Sequence, residues 1–134
     1  MDEDAVDTEI RYLNTDLDLY SSDDLTALAA GLEKCGMAIH HVGEDDGSWR
    51  AHLDLDRCYD TPELTIAAIL DVIETLPEAL RAIWTGCSRR EFNIGFDCGD
   101  KPRPFERTLS NALLIRVAAV GAGVGITLYP AMPN

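Results

Sequence analysis

Three observations predict an α+β fold with helices on one face of a mainly antiparallel sheet. Several segments alternate apolar and polar residues with the two-residue period of a strand. Others carry apolar residues at helical spacing and end on glycine. Two of the strands flank a short Asp-Gly turn, which makes them an antiparallel hairpin. The resulting order is β-α-β-β-α(α)-β-α-β. It fits a ferredoxin-like βαββαβ two-layer sandwich with an extra helix and strand.

Residues 11–20, RYLNTDLDLY, alternate strictly, with Leu13, Thr15, Leu17 and Leu19 on one side and Tyr12, Asn14, Asp16, Asp18 and Tyr20 on the other. A helix follows. Ser21 and Asp24 have the spacing of a capping box, Leu25, Leu28, Ala29 and Leu32 form one apolar stripe, and Gly36 ends it. MAIHHV and SWRAHLDLD then read as a hairpin around Asp46-Gly47. Asp60, Thr61 and Pro62 start a second helix, apolar nearly all round through Thr75. Pro77 interrupts it, with Thr75 and Glu78 spaced as another capping box. RREFNIGFD is a strand with Phe92, Ile94 and Phe96 inward, and CGDKPRPFERT is a loop. A last helix runs from Ser110 to Gly121, and GVGITLYP is a closing strand stopped by Pro130. Leu28, Ala29, Leu32, Cys35 and Gly36 are echoed 85 residues later by Leu113, Leu114, Val117, Val120 and Gly121, as in a duplicated unit or in any two amphipathic helices that end on glycine.

At 134 residues the chain is expected to form one domain, with residues 1–8 a mobile acidic tail. It is 46% hydrophobic and 26% charged, and no apolar run approaches the ~18 to 20 residues of a membrane span. The acidic start lacks the basic and apolar regions of a secretory signal, so the expected compartment is the cytoplasm. With 24 acids against 11 bases the net charge is −13. That disfavours nucleic acid, which needs clustered Lys and Arg, and favours basic partners or cations.

Catalytic motifs are missing. The GAGVG run at 121–125 leads from helix into strand, the reverse of a dinucleotide-binding turn. There is no Walker A loop, GxSxG elbow or HExxH pair, and the D-x-D pairs Asp16/Asp18 and Asp54/Asp56 lack the rest of a calcium loop. Cys35, Cys58, Cys87 and Cys98 have no zinc spacing, and their surroundings do not favour a thiolate. No cofactor is implied. The alternative is a divalent metal. If residue numbers across the hairpin sum to about 92, His40 faces His52 with Asp54 beside them, a set of zinc-type ligands.

The outward positions form a candidate binding face: Tyr12, Asn14, Asp16, Asp18, Tyr20, His40, Arg50, His52, Asp54, Asp56, Glu91, Asn93, Asp97, Thr127 and Tyr129. Carboxylates there complement a basic protein, and tyrosines add contact area at low entropy cost. Arg50 and Arg90 are expected to soften the field locally. Within FNIGFDCGDKPRPFERTLSNALLIRVAAVGAGVGITLYP, the strand, variable loop, Leu109-Ser110 helix start, glycine-ended helix and final strand ending in Tyr129 resemble a family of uncharacterised small bacterial α+β domains. The resemblance covers about a third of the chain and implies no activity, though some relatives look like immunity-type or accessory proteins.

The leading expectation is therefore a non-catalytic binding module for a protein partner, without nucleic acid or membrane. The alternatives are a metal-binding protein or metal-dependent hydrolase on His40, His52 and Asp54, and a homo-oligomer subunit whose last strand lies at a sheet edge.

Overall fold

The computed structural model describes residues 9–57 and 59–130, so the acidic tail and Cys58 fall outside the described residues. Nine elements follow one another: β1 (Arg11–Ser21), α1 (Thr26–Lys34), β2 (Met37–Asp45), β3 (Ser48–Leu55), α2 (Pro62–Glu74), α3 (Glu78–Thr85), β4 (Arg89–Asp97), α4 (Asn111–Ala119) and β5 (Gly123–Tyr129). This is the predicted order. The sheet runs β2-β3-β1-β4-β5. Its first four strands pair antiparallel in the arrangement of two interleaved βαβ units, and β5 joins β4 in parallel through the α4 crossover.

Alternation in the strands decides what the helices cover. Leu17, Leu19, Ala51, Leu53, Phe92 and Ile94 meet Leu28, Leu32, Ile66, Ile69, Leu70, Leu113 and Val117 in one buried cluster. No helix among the described residues is long and apolar enough to cross a membrane. The two units that echo each other in sequence use different crossovers. In β1-α1-β2 the strand β3 lies between the two parallel strands, whereas in β4-α4-β5 the strands touch. Both helices are followed by a glycine with positive φ, Gly36 at 101° and Gly121 at 73°.

Several helix ends differ from their sequence signals. The α1 helix starts at Thr26 with Leu25 as an uncapped N-cap, not at a Ser21/Asp24 box. Ser21 Oγ accepts from the Asp23 amide and Asp24 from the Thr26 amide, so both side chains serve tight turns ahead of the helix. Thr75 likewise donates back to the carbonyls of Asp71 and Val72, and α3 restarts behind Pro77 without a side-chain cap. Cys35 is exposed, off the apolar stripe of α1. Thr61 and Ser110 cap α2 and α4 as predicted, accepting from the amides of Leu64 and Leu113.

Two contacts tie α4 to α2. Glu63 accepts from both the amide and the hydroxyl of Ser110, which holds its carboxyl below the usual range. Arg116 reaches Asp71 and Glu74 at 2.8 and 2.7 Å. On the far side Arg90 closes the layer. Its guanidinium donates to the carbonyls of Trp84, Cys87 and Gly121 at 2.8–2.9 Å, which neutralises the negative ends of α3 and α4 together.

Candidate binding face

The hairpin turn carries Asp46 and Gly47 at φ 53° and 80°, as a two-residue turn with both central residues left-handed requires. The pairing extends up to Asp45↔Ser48, so Gly43–Asp45 belong to β2 and not to the loop. Up to Ile39↔Leu53 the paired numbers sum to 92, the expected register. Beyond it, an irregularity between Ile39 and His41 inserts His40 as an extra residue, and His41, not His40, lies opposite His52. The bulge still leaves His40 near the face, where its Nε2 lies 2.7 Å from Asp54 Oδ1. His41 and His52 have ring centroids 5.9 Å apart.

A second bulge moves Tyr12. Pairing shifts between Tyr12 and Asn14, which leaves Leu13 44% exposed and turns Tyr12 into the helix layer. There its hydroxyl bonds Thr15 and Thr65 at 2.7 and 2.8 Å, and its ring packs on Phe96. Tyr12 is therefore not part of the outward face. Neither is Asp56, which lies past the end of β3 beside Gly36, at a recess shared with α2. Arg90 also faces the helices. Its neighbour Arg89 takes the outward place, paired with Glu91 at 2.9 Å.

The remaining predicted residues are brought together on the side away from the helices. At the centre are Asp16 and Asp18 of β1, with His52 and Asp54 of β3 beside them. Asp18 and His52 are directly opposite, and His52 Nδ1 lies 2.7 Å from Asp18 Oδ1. Asp54 takes His40 on one oxygen and the Asn14 amide on the other. Asp16 takes no hydrogen bond from the described residues. Partial burial, then the charges of Asp18 and Asp54, raise its carboxyl above the ordinary 3.8 against the opposing pull of His40 and His52.

At one corner Tyr20 lies between Arg50 and Arg89, whose guanidinium carbons are 5.7 and 5.3 Å from its ring centroid. Towards the other edge Thr127 donates to Asn93, and the ring of Tyr129 lies against Gly95, where a side chain would crowd it. Asp97 ends β4 between Arg11 and Tyr129, at the rim and four residues from Asn93.

His40 and His52 thus engage different carboxylates. Among the described residues, no three His, Cys, Asp or Glu side chains group so as to hold a metal ion. Cys87 is buried against α3, its thiol pushed up mainly by burial, and Cys98 is half-buried at the end of β4. Sequence reasoning missed His41 and Arg89. Set against protein families, curated proteins and solved structures, the chain matches none.

Proposed function

We propose that the chain is a non-catalytic binding module whose acidic sheet face takes a basic protein partner, in the manner of an inhibitor or immunity-type protein. The observation that carries this reading is Asp16. Its carboxylate is half-buried between two His–Asp pairs, is crowded by the acids of those pairs, Asp18 and Asp54, and has no cation of its own among the described residues. A lysine or arginine from a partner would supply the missing charge and relieve the crowding. Tyr20 with Arg50 and Arg89 marks one limit of the acidic surface and gives it a polarity that orients a partner.

The test separates this face from net charge. Replacing Asp16, Asp18 and Asp54 by Asn removes three charges from the centre of the face. Replacing Glu33 and Glu106 by Gln and Asp46 by Asn removes three exposed charges elsewhere. The first variant is expected to bind an arginine-rich peptide at least about tenfold more weakly by calorimetry, ~1.4 kcal/mol, and the second to change much less. Equal losses in the two variants would reduce the attraction to net charge and sink the proposal.

A further inference from the structure

β5 is the last strand of the sheet, and among the described residues no strand pairs with its outer side. From Val117 to the last residue the sequence contains no Asp, Glu, Lys or Arg, in a chain with net charge −13. Val124, Ile126 and Leu128 face the helix side, and the latter two are 65% and 62% exposed. Alongside them α4 turns Ala112, Leu114, Ile115, Ala118 and Ala119 to solvent, with Ile115 61% exposed. Arg116, the charged residue of α4, is occupied by Asp71 and Glu74. An apolar cleft of about 500 Å³ opens between β5 and the 98–109 loop, floored by Phe96, Phe105 and Leu109.

Soluble proteins blunt such edges with charges, prolines or bulges. The opposite edge, β2, does so with a bulge, two histidines, Glu44 and Asp45. β5 has no such device.

We infer that β5 pairs antiparallel with β5 of a second copy about a twofold axis, independently of what the acidic face binds. Backbone direction sets the register. The Tyr129 carbonyl accepts from the Cys98 amide, so Gly123, Gly125, Thr127 and Tyr129 direct their backbone groups to β4. Those of Val124, Ile126 and Leu128 then point to the open side. Centring the axis on Ile126 pairs Ile126 with its own copy and Val124 with Leu128, so each outward amide meets an outward carbonyl and all three side-chain pairs are apolar. The same axis brings the two α4 helices together through Leu114, Ile115 and their alanines.

Charge selects a second copy as the occupant. Two chains of −13 repel one another wherever acids meet, and this wing, which holds no acid of its own, is where that repulsion is least. The five exposed apolar side chains Leu114, Ile115, Val124, Ile126 and Leu128 leave on the order of 500 Å² open, a large share of the roughly 800 Å² per partner in a standard interface, before backbone and alanines are added.

Light scattering over a concentration series, together with amide hydrogen exchange, tests the inference. The wild-type chain is expected at the mass of two chains, with the Val124, Ile126 and Leu128 amides protected. Ile126→Lys places a charge on the edge, and Ile126→Pro removes only an outward donor. Both are expected to halve the mass and expose the Val124 and Leu128 amides while circular dichroism stays native. His41→Lys on the opposite edge is expected to remain a dimer. A wild-type monomer at every concentration would overturn the inference and leave the cleft to another occupant. So would a dimer that survives both Ile126 changes, dissociates with His41→Lys, or exchanges the three amides freely.

Discussion

The acidic face and the α4–β5 wing are built from the same sheet and differ in almost every physical respect. The face concentrates Asp16, Asp18 and Asp54 around two histidines, with each side chain except Asp16 held by a neighbour. The wing's one charge, Arg116, is paired with α2, and it presents branched apolar side chains beside a backbone edge left unpaired among the described residues. One surface suits a partner chosen by charge; the other suits burial and hydrogen bonding. A dimer through β5 would continue the sheet with both acidic faces on one side, their β1 strands roughly 24 Å apart at about 4.8 Å per strand. A partner with two basic sites at that spacing would gain avidity.

Arg89 and Arg90 offer the sharpest way to break this comparison, because adjacent residues serve opposite sides of one strand. Arg90→Ala is expected to cost about 2–3 kcal/mol in denaturant unfolding, since it strips a charged donor from carbonyls at the ends of two helices. Arg89→Ala removes an exposed pair with Glu91 and is expected to cost under about 1 kcal/mol. Similar costs would mean that the helix ends are satisfied without Arg90.

The smaller effect concerns Asp16. Its folded carboxyl titrates above the unfolded one, so the ionised form favours the unfolded chain. Its contribution is fully present below the unfolded value near 3.8 and is lost as pH rises through the raised folded value. Asp16→Asn is therefore expected to melt higher than wild type at neutral pH, with the gain shrinking as pH falls towards 3.8. A variant that melts lower at neutral pH would show that the Asp16 charge stabilises the face.

Most elements were legible because alternation and caps are local. Thr61-Pro62, Ser110 and Asp46-Gly47 act within a few residues of themselves, and Phe92, Ile94 and Phe96 alternate without interruption. The bulges were not legible. An added residue at Leu13 or at His40 leaves the composition of its strand unchanged, yet it reverses the face of Tyr12 and changes which histidine meets His52. Ser21 misled for a related reason, since a hydroxyl that closes a turn has the same sequence signature as one that caps a helix. The edge position of β5 was one of the sequence expectations, but its parallel pairing with β4 and the register that turns the backbone groups of Val124, Ile126 and Leu128 to the open side depend on strand order, which no local pattern records.

The most direct test of the division between these surfaces is one sedimentation experiment on the chain with a fluorescent arginine-rich peptide, carried through rising salt. Screening acts on charged contacts and spares apolar ones. The peptide is expected to leave the protein as salt rises while the mass of two chains persists. Loss of the dimer in step with the peptide, or peptide binding indifferent to salt, would contradict the account.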